Sequence, residues 1–198
     1  METFTIRLAV LGDIRMVYEL EARIQPYRPE DEFEVQAMHR RAQIAEQSAD
    51  PRWMPILDSA STTVSKESDA FGGLKCFWVA TKFENDRNRV VGVAGIETFR
   101  SGDAIGQEHP LVEEWGRGKR VAELRRVRVA PEYRRNGVAI RLCETVIDWA
   151  RHQRYDTLTV NTITPQFPAR ALYQKLGFCE KGISFIGRYE LVWMELKL

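Results

Sequence analysis

The stretch from Val121 to Leu142 constrains the fold more than any other part of this 198-residue chain. It reads as a strand that ends at Ala130-Pro131, then a turn, then a helix that opens near Gly137. Between strand and helix lies Arg134-Arg-Asn-Gly-Val-Ala139, which fits the pattern Gln/Arg-x-x-Gly-x-Gly/Ala. A short glycine-containing loop at a helix start aims free backbone N–H groups and the positive end of the helix dipole at one point, which suits a pyrophosphate. Gly137 lets the backbone approach a phosphate or take positive φ, and Ala139 keeps the first turn free of bulk. Arg134 and Arg135 add charge-assisted contacts. The anchoring loop is thus Arg134, Arg135, Asn136, Gly137, Val138 and Ala139.

Downstream, Ala139, Leu142, Cys143, Val146, Trp149 and Ala150 fall on one helical face, with Arg141, Glu144, Asp148 and Arg151 on the other, and His152 at the surface end. Thr157 to Thr162 alternates as a strand with Leu158 and Val160 inward. Strand, helix and strand of these lengths imply a right-handed crossover with the two strands parallel. A short helix over Ala169–Leu176 is expected next, with Pro168 in its first turn and Gly177 as its cap. Two closing strands follow, around Cys179–Ile186 and Arg188–Leu198.

Upstream, Thr3–Val10 alternates as a strand, and Asp13 can cap a helix running to about Ile24. Gln25–Pro29 interrupts before a second helix over about 32–47. Residues 48–73 read as a long loop in which Trp53, Met54 and Phe71 are anchors. Leu74–Phe83 and Arg89–Phe99 read as an antiparallel hairpin joined by the polar Glu84–Asn88. Gly92 and Gly95 suggest a bulge or a close backbone approach. The insertion 101–120 carries four glycines and a proline, with His109 and Trp115 its conspicuous residues; the plain reading is a solvated loop with one anchoring tryptophan.

The Arg134–Ala139 loop, the strand before it and Ala169-Arg-Ala-Leu-Tyr-Gln-Lys-Leu-Gly-Phe178 after it together resemble the GCN5-related N-acetyltransferase (GNAT) superfamily, over roughly Val90 to Phe178. The resemblance implies an α/β GNAT fold: a mixed, mostly antiparallel central sheet of about six to seven strands with helices on both faces. It implies acetyl-CoA as cosubstrate, its pyrophosphate on the Arg134–Ala139 loop. A polar residue near the pantetheine arm is expected at Asn161. The chain is expected to form a single domain over 1–198, with variable acceptor-side segments at about 25–72 and 100–120.

Composition narrows the partners. Twenty-nine basic and 28 acidic residues give a formal charge of +1, without the overall basic bias of a nonspecific nucleic-acid binder. The basic Lys119, Arg120, Arg125, Arg126 and Arg128 are read as ion-paired with the insertion's acids. Cys76, Cys143 and Cys179 are odd in number, widely spaced and set among apolar residues, as reduced core thiols of a cytoplasmic protein are. No apolar run is long enough to span a bilayer and residues 1–15 carry charges, so neither membrane nor leader is expected. No metal-ligand spacing is found, and a monomer or homodimer is expected.

Acetyl transfer to an amine also needs the thioester carbonyl polarised, the amine neutral and the departing thiolate protonated. Backbone N–H groups near Val127, Arg128 and Val129 are candidates for the first task. The resemblance puts the general acid at Tyr173, a phenol protonated at neutral pH. Glu123 lies six residues before Val129, the spacing at which histone-type members carry a catalytic glutamate. A salt bridge with Arg125, on the same strand face as Val127, is the competing account of Glu123; Glu97 and a water relay are the other candidate bases. The leading expectation is transfer to a primary amine of a small molecule or amino-acid derivative in a ternary complex. Alternatives are a protein N-terminus or lysine as acceptor, or a regulatory module that binds CoA without turnover.

Overall fold

A computed structural model describes residues 22–49, 76–99, 115, 118–186 and 189–198. The expected first strand, the body of the first helix, the loop anchors Trp53, Met54 and Phe71, and His109 lie outside the described residues. The described elements are β1 (Arg23–Pro26), α1 (Glu32–Ala49), β2 (Cys76–Glu84), β3 (Arg87–Thr98), β4 (Val121–Val129), α2 (Val138–His152), β5 (Thr157–Ile163), α3 (Phe167–Lys175), β6 (Cys179–Ile186) and β7 (Tyr189–Lys197). Short 3-10 turns at Pro29–Asp31 and Pro131–Tyr133 lead into α1 and into the glycine loop.

The strands form one sheet in the order β1-β2-β3-β4-β5-β7-β6. Every pairing is antiparallel except β4 with β5, where the α2 crossover makes it parallel. This is the mixed, mostly antiparallel sheet expected from the sequence.

Two local expectations are corrected. The helix expected to run to Ile24 does not reach it: Arg23, Ile24, Gln25 and Pro26 pair with Thr81, Ala80, Val79 and Trp78. A residue before proline is driven to extended backbone, and an edge strand spares Pro26 its missing N–H. The hairpin loop is also shorter than its five polar residues suggested. Asn85 and Asp86 alone make the turn, at φ 50° and 60°, and Glu84 pairs with Arg87. Asn and Asp tolerate that conformation, and its twist matches that of the flanking strands.

Gly92 locates α2. A Cβ built on it would meet Leu142 Cδ1 and Val138 Cγ1 at 3.0 Å and the Arg128 carbonyl at 3.2 Å, so glycine here permits a close helix approach. Trp149 of α2 packs edge-on against Trp78 at 5.7 Å, on the same side as Gly92. In α1, Val35, Met38 and Ala42 are buried, while Phe33 and Ile44 are exposed. Cys143 is buried and Cys76 half-buried, but Cys179, expected in the core, is exposed because it opens the edge strand β6.

Candidate active site

The site is built around a separation of two strands. β4 and β5 pair only at Val121–Thr157, Ala122–Leu158 and Glu123–Thr159, although β4 continues to Val129 and β5 to Ile163. Beyond Glu123 the facing edges make no ladder with each other among the described residues. Apart from the Val129 carbonyl, which accepts from Arg134, backbone groups of these edges that make no ladder bond can meet a polar, extended ligand.

A bulge sorts the side chains of β4 between the two faces. Val93 pairs with Arg128 and Gly95 with Arg125, so β4 has one residue more than β3 here, and Arg126 takes φ 56°. Leu124 before the bulge and Val129 after it both face α2, because their partners Ile96 and Gly92 do. Glu123, Arg125 and Arg128 face the other way. Val127 does not share a face with Glu123 and Arg125, contrary to the simple alternation of the sequence; the extra residue flips the parity.

On the face away from α2, four polar side chains converge. Glu123 is 5% exposed; its Oε1 accepts from Asn161 Nδ2 at 2.7 Å and its Oε2 from Arg125 Nη1 at 3.3 Å. The same Arg125 nitrogen lies 3.0 Å from Glu97 Oε1. The structure thus contains the anticipated Glu123–Arg125 salt bridge, and it joins both candidate carboxylates through one guanidinium. Burial raises the Glu123 pKa; Arg125 opposes the rise and Glu97 adds to it. Arg125 is itself raised, because attraction from Glu123 and Glu97 outweighs its own burial. Both values rise, with opposite effects on charge: in the more deeply buried carboxylate desolvation prevails and disfavours the ionised form, whereas in the arginine the summed attractions outweigh desolvation and favour it.

On the α2 face stands Tyr173, 6% exposed, its ring 5.8 Å from that of Phe178. Its helix ends at Gly177, φ 91°, with the Phe178 N–H returning to the Tyr173 carbonyl at 3.0 Å, the glycine cap expected from the sequence. Burial raises the phenol well above its ordinary pKa, with a small contribution from Cys143 of α2. Among the described residues the hydroxyl has no hydrogen-bond partner. It is protonated at neutral pH and lies on the side of the sheet opposite Glu123.

The loop at the head of α2 has the anticipated geometry. Gly137 sits at φ 76° as the residue before the helix, and a Cβ there would meet nothing within 4 Å. The first helical hydrogen bond is donated by the Arg141 N–H to Gly137 at 3.1 Å, so the N–H groups of Val138, Ala139 and Ile140 have no intrahelical acceptor. Arg135 also takes positive φ, 66°, and is exposed. Arg134 turns back, its Nε donating to the Val129 carbonyl at 3.1 Å, and Asn136 Nδ2 caps the Arg134 carbonyl at 3.1 Å. The open cradle, unpaired donors and adjoining arginines fit a pyrophosphate.

A match to the family model described as "Acetyltransferase (GNAT) family" spans residues 43–178. The chain belongs to this family. Among curated relatives it is 37% identical to human N-acetyltransferase 8 over 121 residues, 61% of this chain and 44% of that protein. It is 31% identical to the probable N-acetyltransferase camello of Xenopus tropicalis over 111 residues, 56% of this chain and 42% of that one. The chain thus spans less than half the length of these relatives. Among solved structures, Arabidopsis thaliana NAA60 in complex with acetyl-CoA superposes with TM-score 0.60 and 14% identity, covering 89% of this chain and 98% of that one. The ribosomal-protein-S18-alanine N-acetyltransferase of Escherichia coli superposes with TM-score 0.55 and 19% identity, covering 89% and 93%. This chain shares its fold with these two solved structures.

Three features were not read from the sequence. Tyr133 donates to Glu84 at 2.6 Å across 49 residues, Arg89 bridges Glu84 and Glu132, and His39 of α1 lies within electrostatic reach of Arg128 and Arg126. Each includes a contact between residues at least 43 apart in the chain, which spacing alone does not reveal. Trp115 was anticipated as an anchor: it is buried, edge-on to Phe99 at 5.3 Å, and donates to the buried Glu195 at 2.8 Å. The expected pairing of Arg126 and Arg128 with acids of the insertion involves residues outside those described. Among the described residues no cluster of three or more His, Cys, Asp or Glu could hold a metal ion.

Proposed function

We propose that this chain is an acetyl-CoA-dependent N-acetyltransferase that acylates a primary amine of a small molecule or amino-acid derivative by direct attack in a ternary complex, in the cytoplasm. The observation that carries this is the buried Glu123 where β4 and β5 part, with Tyr173 on the opposite face of the sheet and the Arg134–Ala139 loop at the head of the α2 crossover. The loop N–H groups and arginines would hold the pyrophosphate, and the unpaired strand edges would hold the pantetheine arm beside Asn161.

In this reading Glu123 accepts a proton from the acceptor ammonium, leaving the amine neutral for attack. Its raised pKa makes it a better base than an exposed carboxylate, and Arg125 keeps enough of it ionised to act. Backbone N–H groups at Val127 to Val129 are aimed at the oxyanion that forms as nitrogen bonds to the acyl carbon. As that intermediate collapses and the carbon–sulfur bond breaks, Tyr173 gives its proton to the thiolate. The surplus proton on the new amide nitrogen passes to solvent, and exchange with solvent then reprotonates Tyr173 and deprotonates Glu123. Glu97 adds negative charge that attracts a cationic amine.

The test is a thiol-release assay with acetyl-CoA against a panel of small amines, amino-acid derivatives and short peptides. Turnover on small amines supports the proposal. Preference for peptides by tenfold or more in kcat/KM would replace the acceptor class, and tight CoA binding without turnover on any acceptor would make the chain a binding module.

A further inference from the structure

We propose that the end of the β2–β3 hairpin is a staple that sets the shape of the phosphate-binding loop, with Tyr133, Glu84, Arg89 and Glu132 as its positioning residues. The proposal rests on the reading of Arg134–Ala139 as the pyrophosphate site.

The loop needs such support. Arg135 at φ 66° and Gly137 at φ 76° flank Asn136. A residue with a side chain in that conformation persists only where its surroundings over-determine it. The residues immediately before the loop are held at three points. The Ala130 N–H donates to the Val91 carbonyl of β3 at 2.9 Å. The Tyr133 hydroxyl donates to Glu84 Oε1 at 2.6 Å, and Arg89 Nη1 reaches the same oxygen at 2.9 Å. Arg89 Nη2 donates to Glu132 Oε1 at 3.0 Å, so one guanidinium ties the hairpin to the turn beside Tyr133. From α1, Arg41 Nε approaches Glu132 Oε1 at 3.5 Å.

The arrangement differs from scattered surface pairing. Arg89 and Glu84 are each about a quarter exposed or less, at 25% and 21%, and share their contacts in one network. The Tyr133 ring is buried, with Lys82 and Arg89 against it at 5.5 and 5.8 Å. Glu84 is held below the ordinary carboxylate range by the Tyr133 hydroxyl first and Arg89 second, and therefore remains an acceptor. None of these side-chain bonds goes to residues 134–139; the connection is the chain itself, from Tyr133 into Arg134. The network's action is to fix where Arg134 begins and hence where the N–H groups of residues 136 to 140 point.

The experiment compares ligands that carry the pyrophosphate with one that lacks it. CoA, 3′-phospho-ADP and S-acetylpantetheine are titrated into the wild type, Tyr133→Phe, Glu84→Gln and the double variant, with Tm recorded for each. Tyr133→Phe keeps the ring and its cation contacts and removes one hydrogen bond. Each single variant should weaken CoA and 3′-phospho-ADP by about tenfold, the scale of one hydrogen bond to a charged group, and leave S-acetylpantetheine within twofold. The double variant should be no worse than the weaker single by more than about twofold, because Glu84→Gln takes the charge from the acceptor and Tyr133→Phe removes the donor of the same contact. Equal weakening of all three ligands would mean general damage, and unchanged CoA affinity would mean a loop that keeps its shape alone; either overturns the staple. A wild type that fails to prefer CoA over S-acetylpantetheine would overturn the pyrophosphate site itself, and the staple with it.

Discussion

The two faces of the sheet at the β4–β5 separation are built by different means. On the α2 face the functional geometry is backbone: a glycine at positive φ, unpaired N–H groups at a helix start, and a tyrosine fixed by a glycine-capped helix. On the opposite face it is side-chain charge: Glu97, Glu123, Arg125 and Asn161 arrive from three strands and hold one another. The first construction is local in sequence and tolerates little change in the residues that set the backbone. The second depends on register, so a one-residue bulge decides who meets whom. A cofactor shared by many enzymes suits the first, and an acceptor that varies among them suits the second.

The contrast breaks most sharply at Gly137. Glutamate there would take φ 76° at a strain of about 1–2 kcal/mol and put a carboxylate into the cradle. Because a Cβ meets no atom within 4 Å, the fold should survive. Calorimetry should find no CoA binding, with circular dichroism and the acceptor face unchanged. A folded Gly137→Glu protein with wild-type affinity would remove the phosphate site from this loop.

Next in size is Tyr173→Phe. Loss of one proton donor should lower kcat by roughly 10²- to 10⁴-fold, with kcat/KM falling in parallel and CoA affinity unchanged. A loss below about fivefold, when chemistry limits the rate, would assign protonation to water or another group.

Glu123→Gln tests the other face. It should lower kcat/KM by about a hundredfold and abolish the acid limb of the pH profile, which in the wild type should lie above the ordinary carboxylate range. Arg125→Met should move that limb further up, because it removes the main influence opposing burial, and Glu97→Gln should move it down. A carboxyl whose folded pKa is raised contributes stability at low pH that is lost as pH rises through that pKa. Removing the Glu123 charge should therefore not unfold the protein at neutral pH. If the limb stays put in all three variants, Glu123 is not the base.

How much of each face the sequence disclosed follows from the same contrast. Pro131, Gly137, Pro168 and Gly177 act through backbone restriction within a few residues, so the strand end, the loop and both helices around them were legible. Glu123 and Asn161 were each suspected singly, but their 2.7 Å contact joins residues 38 apart, and nothing along the chain states it. The bulge at Arg126 has no glycine on its own strand; an arginine takes the positive φ, so simple alternation gives the wrong parity beyond it, and only Gly95 on the facing strand hints at the irregularity. At the other end of the sheet Ile24 fitted a helical spacing, yet the local effect of Pro26 and pairing with β2 prevailed.

Gly92 couples the two constructions. Alanine there drives a Cβ to 3.0 Å from Leu142 and Val138 and 3.2 Å from a backbone carbonyl, and the carbonyl cannot yield as a side chain can. The cost should be about 1–3 kcal/mol, read as a lower denaturation midpoint. Because the displaced helix carries the phosphate loop, the KM for acetyl-CoA should rise while the pH limb set by Glu123 holds. A shift of that limb without a change in KM would reverse the assignment of faces.

The smallest effect at neutral pH belongs to His39. Burial first, then Arg128 and Arg126, push its pKa down to about 3, so its imidazole is neutral in the fold. In the unfolded chain a histidine titrates near 6.5, so below that pH the unfolded state takes up a proton that the folded state refuses until about pH 3. The stability that depends on neutral His39 is complete above about pH 6.5 and is lost progressively between there and pH 3. Its slope approaches one proton, about 1.4 kcal/mol per pH unit, reduced where solvent reaches the ring. In His39→Gln, urea midpoints measured from pH 7 to pH 4 should fall less steeply than in the wild type, with no change at pH 7.5 beyond the packing of the new side chain. CoA affinity should be unaffected across the range, because His39 faces Arg128 on the side of the sheet away from α2. An identical slope in wild type and variant would show that the imidazole is protonated in the folded state, and that the arginines of β4 are better shielded from α1 than their surroundings imply.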